Sequence, residues 1–368
     1  MIRIHILTEG CVTTNGRGFL YPLLRYQVAL REHGIQFRLF TAITPDLFAC
    51  DLLIVESKFY RLAWEKRPDA ILAEFASFQE RIKRVLFFDT GDNSGWIVTQ
   101  VLPFVHRYCK NQLLRDRQRY LSPMYGNRLF TDFYHHHAGV NDPEPVAPTV
   151  ITNPAWLDKL CLSWNSGLAD YSRWGHRRMD LYQRWPLRWL LRPATRCHPP
   201  SAPRPKEVAC RINTNYKSAV VAYQRVLIDQ KLARYRGVGR LSRPDFLREM
   251  AESRLVVSPF GWGEIAYRDY ETFLCGAVLL KPDMSHMETW PDYYQNGTTM
   301  VAHRWDLADL DEQITTILAN PAHFTEVARQ GQETYRRYLL GPEACQLFCE
   351  RFVALVRETM NNNVEQRF

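Results

Sequence analysis

Glu264, Arg268 and Glu271 stand close together in one stretch of the chain, just after the glycines Gly261 and Gly263. Arg268 and Glu271 are three residues apart, so a helix places them on one face. A guanidinium neutralises phosphate and a carboxylate accepts from hydroxyls, so the pair suits a ligand carrying both a diphosphate and a ribose. Glycines let backbone approach a ligand closely. The first N–H groups of a helix lack internal partners and lie at the positive end of its dipole, which attracts phosphate. Together these features are what a nucleotide-sugar site needs.

The flanking residues must build the elements that hold this chemistry. Val256-Val257-Ser258-Pro259 reads as the end of a buried strand, followed by a glycine-rich turn and a short amphipathic helix. Gly276 stops that helix, and Ala277-Val278-Leu279-Leu280 is a second buried strand.

This succession resembles the donor-binding half of GT-B glycosyltransferases, in the CgeB-like, group 1 and exostosin-like branch. The matching residues are Ser258-Pro259, Gly261 and Gly263, Arg268, Tyr270-Glu271, Gly276 and Ala277-Val278-Leu279-Leu280. Lys281-Pro282-Asp283, Asn296-Gly297 and Asp306-Leu307-Ala308-Asp309-Leu310 also fit. Glu264 and Glu271 have one residue fewer between them than the glutamate pair of group 1 enzymes. The resemblance therefore assigns the ribose to Glu271, and Glu264 stands as a catalytic candidate. Arg268 would meet phosphate, while Arg211 and Lys217 match the arginine and lysine that neutralise the donor diphosphate. His286 and Glu288, within Met284 to Trp290, match the segment near the donor sugar. The resemblance covers roughly residues 207 to 340.

What the resemblance implies is an α/β chain of GT-B type: two Rossmann-like domains facing a central cleft, with a C-terminal helix crossing back to the first. The boundaries would be 1–205 for an acceptor-side domain, including an inter-domain segment at about 141–205, then 206–342 for the donor domain and 343–368 for the crossing helix and tail. The implied activity is transfer of a sugar from a UDP-, GDP- or CMP-linked donor to a hydroxyl of a glycan acceptor, with no cofactor and no metal. It further implies lipopolysaccharide, O-antigen or capsule assembly, on a lipid-linked acceptor, in the cytoplasm or on the inner face of its membrane.

Composition agrees with a two-domain globular chain. At 368 residues it exceeds one ordinary core. No run of about 18 uncharged apolar residues suggests a membrane span. The opening Ile2-Arg3-Ile4-His5-Ile6-Leu7 alternates like a strand rather than a signal peptide. Nine scattered cysteines contain no CxxC pair, which argues against a zinc site or disulfide framework and for a reducing compartment. The net charge of +8 asks for an anionic partner: diphosphate, anionic membrane or nucleic acid.

In chain order, residues 1 to about 40 read as strand, polar loop from Thr8 to Gly18, helix from Phe19 to Glu32 and second strand. The first loop of a parallel sheet lies at its ligand-binding edge, which makes Glu9, Asn15 and Gly16 candidates for the acceptor side. Its glycines are not a GxGxxG fingerprint, so no dinucleotide is indicated. A later strand, Arg84 to Phe88, ends in Asp89-Thr90-Gly91-Asp92-Asn93-Ser94-Gly95. Asp89 or Asp92 could act there as general base, although Asp, Asn and Gly are also ordinary turn formers. His135-His136-His137 cannot share one face as a metal tract; the run reads as a solvated loop, or as one histidine facing the cleft as base or acceptor ligand.

Asn141 to Pro205 is proline-rich and irregular. Within it, Arg173 to Arg196 combines arginines with Trp174, Trp185 and Trp189, a composition suited to a membrane headgroup boundary, to a nucleic-acid groove, or to a loop packed on its own protein. The second domain opens with a strand at Val208 to Asn213 and a helix at Ser218 to Arg234. A final helix, about Glu343 to Met360, carries an apolar stripe, and the residues from Asn361 onward should fray. Rival readings are a nucleic-acid-binding protein, a DNA-modifying glycosyltransferase and a GT-B scaffold without activity. No nucleic-acid motif is evident.

Overall fold

The computed structural model describes residues 1–194 and 196–361. The tail from 362 to 368, expected to fray, lies outside the described residues, as does Thr195. The first domain runs β1 (Ile2–Leu7), α1 (Thr14–Arg25), α2 (Gln27–Glu32), β2 (Ile35–Phe40), β3 (Leu52–Glu56), α3 (Pro68–Arg81), β4 (Val85–Asp89), β5 (Arg107–Lys110), β6 (Gln112–Leu114), α4 (Leu129–Ala138), β7 (Leu160–Leu162) and α5 (Gly175–Arg184). The second runs β8 (Lys206–Ala209), α6 (Ala219–Lys231), α7 (Arg243–Glu252), β9 (Ser253–Val257), α8 (Tyr267–Cys275), β10 (Val278–Pro282), β11 (Met287–Thr289), β12 (Val301–His303), α9 (Leu310–Ala319), α10 (Pro321–Leu339) and α11 (Ala344–Asn361).

Six strands of the first domain form a sheet in the order β2-β1-β3-β4-β5-β7, and four of the second form one in the order β12-β10-β9-β8. Both are parallel throughout. β3 and β4 are buried along their whole length, as strands covered on both faces by helices must be. A third, two-stranded antiparallel sheet joins the domains: β11 of the second pairs with β6 of the first, Glu288 opposite Leu113.

α11 returns to the first domain, as expected. The Phe348 ring lies 5.2 Å from Trp164 and 5.7 Å from Tyr26, edge-on and tilted respectively. Arg351 donates to the Leu162 carbonyl at 2.5 Å, and Arg84 donates to the Thr359 carbonyl at 3.1 Å. Each fully buried phenylalanine of this stripe contributes about 1.5–3 kcal/mol. The chain thus has the GT-B layout of two Rossmann-like domains and a crossing helix. Among the described residues, no helix is long and apolar enough to cross a membrane.

Three local expectations change. The loop from Thr8 to Gly18 is shorter than expected because the Thr13 hydroxyl accepts from the Gly16 amide and starts α1 at Thr14. Asn15 and Gly16 therefore sit in a first helical turn. His135, His136 and His137 close α4 rather than form a loop, and Gly139, at φ +65°, terminates it. The irregular stretch after Asn141 contains β7, whose three residues complete the first sheet; so short an apolar run has no period to betray it.

Candidate active site

The glycine-rich motif folds as its sequence expects: β9, a loop, α8, then Gly276 in the left-handed conformation at φ +63°, then β10. Asp269, in the first turn of α8, organises the loop. Its carboxylate accepts from the Ala266 amide at 3.0 Å, the Ser258 hydroxyl at 2.5 Å and the Tyr294 hydroxyl at 2.9 Å. It also pairs with Lys281 at 3.1 Å, with both side chains out of solvent. A buried pair this fully hydrogen-bonded holds the start of α8 in one position.

The three charges that attract attention in the sequence go separate ways. Glu264, fully buried, accepts from the Ser94 hydroxyl at 2.6 Å and the Ser94 amide at 3.0 Å, and lies 3.6 Å from His286. Burial acts to raise its carboxyl, but the His286 imidazole and Ser94 hold it below the ordinary carboxylate value. Arg268 donates to the carbonyls of Arg211 at 2.5 Å and Val257 at 3.2 Å. Glu271 pairs with Arg243 at 2.6 Å.

Arg211 is bound to both carboxylate oxygens of Glu249, at 2.7 and 2.9 Å, while Lys217 is exposed. Glu288 pairs with Arg117 of the first domain at 3.3 Å. Asp89 is filled by Lys110 at 2.5 Å, Tyr108 at 2.7 Å and the Gly91 amide at 2.8 Å. Burial acts to raise the Asp89 carboxyl, and the Lys110 ammonium first among its partners brings it below its ordinary value. Glu9 accepts from the Thr13 hydroxyl, and Gly16 packs against the Gly10 carbonyl.

Between the domains lies a cavity of about 420 Å³. On the first domain it is walled by loops that follow β1, β3, β4, β5 and β7, the carboxyl edge of a parallel sheet. The second domain adds Tyr216, Arg225, the loop Gly261 to Gly263 and the entrance of α8 at Ile265 to Tyr267. Two helix N-termini therefore open onto one space, that of α1 at Thr13 to Asn15 and that of α8. Of the candidate residues, Asn15, Asp92, Gly261 and Gly263 line it. Among the described residues, Glu9, Gly16, Asp89, Arg211, Lys217, Glu264, Arg268, Glu271, His286 and Glu288 lie outside its wall.

Several groups in the wall escaped the sequence reading. Arg225 is buried; its guanidinium donates to the Phe260 carbonyl at 2.5 Å and the Asn213 carbonyl at 3.0 Å and stacks on Tyr216. It has no carboxylate partner among the described residues, and burial pulls it down to about 10, still protonated at neutral pH. Lys58 and Arg61 add two further cations to the wall. Asn111 Oδ1 and Gln112 Oε1, also in the wall, are buried acceptors with no donor among the described residues. Such atoms are costly unless a ligand supplies hydrogen. Asn15 ties three elements together, donating to the Thr90 carbonyl and to Asp92, each at 2.7 Å, and accepting from the Tyr267 hydroxyl at 2.7 Å.

Gly263 serves the domain interface. A Cβ there would stand 1.4 Å from the Asp92 carbonyl oxygen, so only glycine lets the two loops touch. On the first-domain side of this contact is a second cavity of about 660 Å³, with Trp64, Trp96 and Trp262 in its wall. Lys58, Arg61, Asp92 and Trp262 belong to both cavities. Asp92 is exposed; its carboxylate accepts from Asn15, and its backbone carbonyl accepts from the Gln112 side chain. Among the described residues, no group of His, Cys, Asp and Glu side chains is arranged to hold a metal ion.

No protein-family model matches the chain, and no curated protein matches it. Among solved structures it is similar to HepE of Anabaena in complex with UDP-glucose, at 12% identity over 96% of this chain and 100% of that one, TM-score 0.43. It is similar to a glycosyltransferase of Rickettsia africae, at 9% identity over 98% of this chain and 99% of that one, TM-score 0.48. It is also similar to the DNA-modifying enzyme β-glucosyltransferase, at 10% identity over 98% and 100%, TM-score 0.41. Likenesses at this level concern the general path of the chain and assign no role to any residue.

Proposed function

We propose that the chain is a glycosyltransferase that moves a sugar from a nucleotide-linked donor to a hydroxyl of a glycan acceptor. One observation carries the reading: the inter-domain cavity joins two helix N-termini and Arg225 to two buried side-chain carbonyl oxygens, and among the described residues Arg225 has no carboxylate partner and those oxygens have no donor. The cationic part suits a diphosphate. The orphaned oxygens of Asn111 and Gln112 suit sugar hydroxyls, and the rings of Phe19, Trp164 and Tyr267 suit the flat faces of a base or sugar.

The reaction then divides between the two cavities. The acceptor occupies the tryptophan-lined space, and Asp92, common to both, takes the proton of its hydroxyl as that oxygen attacks the anomeric carbon. The bond from that carbon to the diphosphate breaks, and Arg225 with the start of α8 neutralises the departing charge. The cations do what a divalent ion does elsewhere, so the activity requires no metal. In this reading the reaction belongs to assembly of a bacterial surface polysaccharide (lipopolysaccharide, O-antigen or capsule), a proposal supported by the sequence resemblance of the donor half.

A thermal-shift series with UDP, GDP and CMP tests the reading, since a ligand that binds the folded state raises the melting temperature. At least one nucleotide is expected to stabilise the protein, with chelator making no difference. A protein indifferent to all three overturns the proposal.

A further inference from the structure

The structure resolves what the arginine- and tryptophan-rich segment does with its side chains. We infer that residues 173–192 form a membrane-docking element whose tip, Gln183 to Trp189, enters the headgroup region of an anionic bilayer. This goes beyond the transfer reaction and stands on its own observations.

The segment is a built element, anchored at its base. Met179, Leu190 and Leu191 are buried, the Tyr21 hydroxyl donates to the Leu191 carbonyl at 2.8 Å, and Arg178 donates to the Arg192 carbonyl at 2.6 Å. Arg17 of α1 pairs with Asp180 at 2.7 Å. Beyond these anchors every residue from Gln183 to Trp189 is exposed. Trp185 is 58% exposed, Leu187 50% and Trp189 59%, and Trp174 is 45% exposed at the other end. Large apolar side chains held in water by a well-anchored base need a partner, since a free chain end could bury them and this loop does not.

Charge and shape identify that partner. The segment has six arginines against one acid, Asp180, and that acid is already paired. Arg173, Arg177, Arg184 and Arg188 are exposed and have no carboxylate partner among the described residues. Arg173 and Arg177 both stack on Trp174, 5.2 and 5.0 Å from its ring centroid. Cations beside indole rings match the bilayer interface, where rings settle at headgroup depth and guanidinium groups meet lipid phosphate. Nucleic acid fits less well: single strands bind in grooves, whereas the described side chains of this segment line neither cavity, and Leu187 and Pro186 offer no stacking face. The element hangs from α1, whose first turn lines the inter-domain cavity, so a bilayer at the tip lies beside the helix that borders the site.

The test is sedimentation of the full chain with vesicles of phosphatidylcholine alone and of phosphatidylcholine mixed with phosphatidylglycerol. Variants are Trp185→Ser with Trp189→Ser, and Arg184→Glu with Arg188→Glu, all at exposed positions. The wild type is expected to pellet with the anionic vesicles and weakly with neutral ones, and both double variants to bind about tenfold or more weakly. Brominated lipid should quench wild-type tryptophan fluorescence more than that of the tryptophan variant. Absence of vesicle binding, equal binding by the variants, or preferential binding of a DNA duplex overturns the inference. The nucleotide thermal shift, measured on the same variants, should match the wild type; it reports on the transfer reading separately.

Discussion

Glu264 on the glycine-rich loop accepts both the amide and the hydroxyl hydrogen of Ser94 on the opposite domain, so one carboxylate clasps the two halves of the molecule. Gln112 Nε2 approaches the same carboxylate at 3.3 Å. Its removal leaves a buried amide and hydroxyl without partners. Glu264→Ala should lower stability by about 2–4 kcal/mol in urea denaturation and increase the radius of gyration in small-angle scattering. An unchanged profile in both measurements would deny the clasp.

The two loop glycines should respond differently to alanine. At Gly263 the added carbon meets backbone of the other domain at 1.4 Å, and backbone cannot turn aside. At Gly261 it meets the Tyr216 hydroxyl at 3.1 Å and Arg225 at 3.4 Å, both ends of side chains that can move. Gly263→Ala is expected to cost about 3 kcal/mol and Gly261→Ala less than about 1 kcal/mol. Paired thermal denaturation curves check the order.

Arg225 and Arg211 separate ligand binding from architecture. Arg225 faces the cavity without a carboxylate, whereas Arg211 is clamped to Glu249. Arg225→Met should weaken nucleotide binding about tenfold or more in calorimetry. Arg211→Met should instead lower the melting temperature and leave the dissociation constant nearly unchanged.

The two aspartates after β4 should divide in the same way. Asp89→Asn strands the buried Lys110 ammonium and is expected to destabilise by about 3–5 kcal/mol. Asp92→Asn, at an exposed position, should fold normally and lose about 10²–10⁴-fold in kcat. A fully active Asp92→Asn variant would remove it from the reaction.

Glu56, at the end of β3, makes the fold sensitive to pH. Burial pushes its carboxyl up to about 7 from an ordinary 4.5, against hydrogen bonds from the Thr90 hydroxyl at 2.6 Å and the Lys58 amide at 3.0 Å. Between those two values the folded chain holds a proton that the unfolded chain has released, so this group's contribution to stability falls as pH rises through the window. Glu56→Gln keeps the shape and cannot ionise. Relative to wild type it should gain about 2–3 kcal/mol between pH 4.5 and pH 7.5 and plateau above. Parallel urea titrations across that range measure the difference.

Much of the architecture was legible because it is written locally. The apolar strands, the apolar stripe of α11 and the Gly276 stop each depend on a few neighbouring residues, and so does the strand–loop–helix–strand order of residues 256–280. β7 was not, being three residues inside a proline-rich stretch and needing β5 beside it to exist. The partners of the charges were not legible either. Arg268, Glu271 and Arg211 look alike as free ligand-binding groups until the fold brings carbonyls, Arg243 and Glu249 against them.

By itself, then, the sequence determined two parallel α/β domains, an apolar-striped final helix whose return to the first domain the resemblance implied, and the place of the glycine-rich loop. Only the tertiary structure decided that Glu264 clasps Ser94, that Gly263 makes room for Asp92, and that Arg225, Asn111 and Gln112 look into one space. The reason is physical: helical and strand periods say which side of an element is buried, whereas the partner of a buried charge is set by other segments that fold against it, from a few tens of residues away for Glu271 and Arg211 to more than a hundred for Glu264.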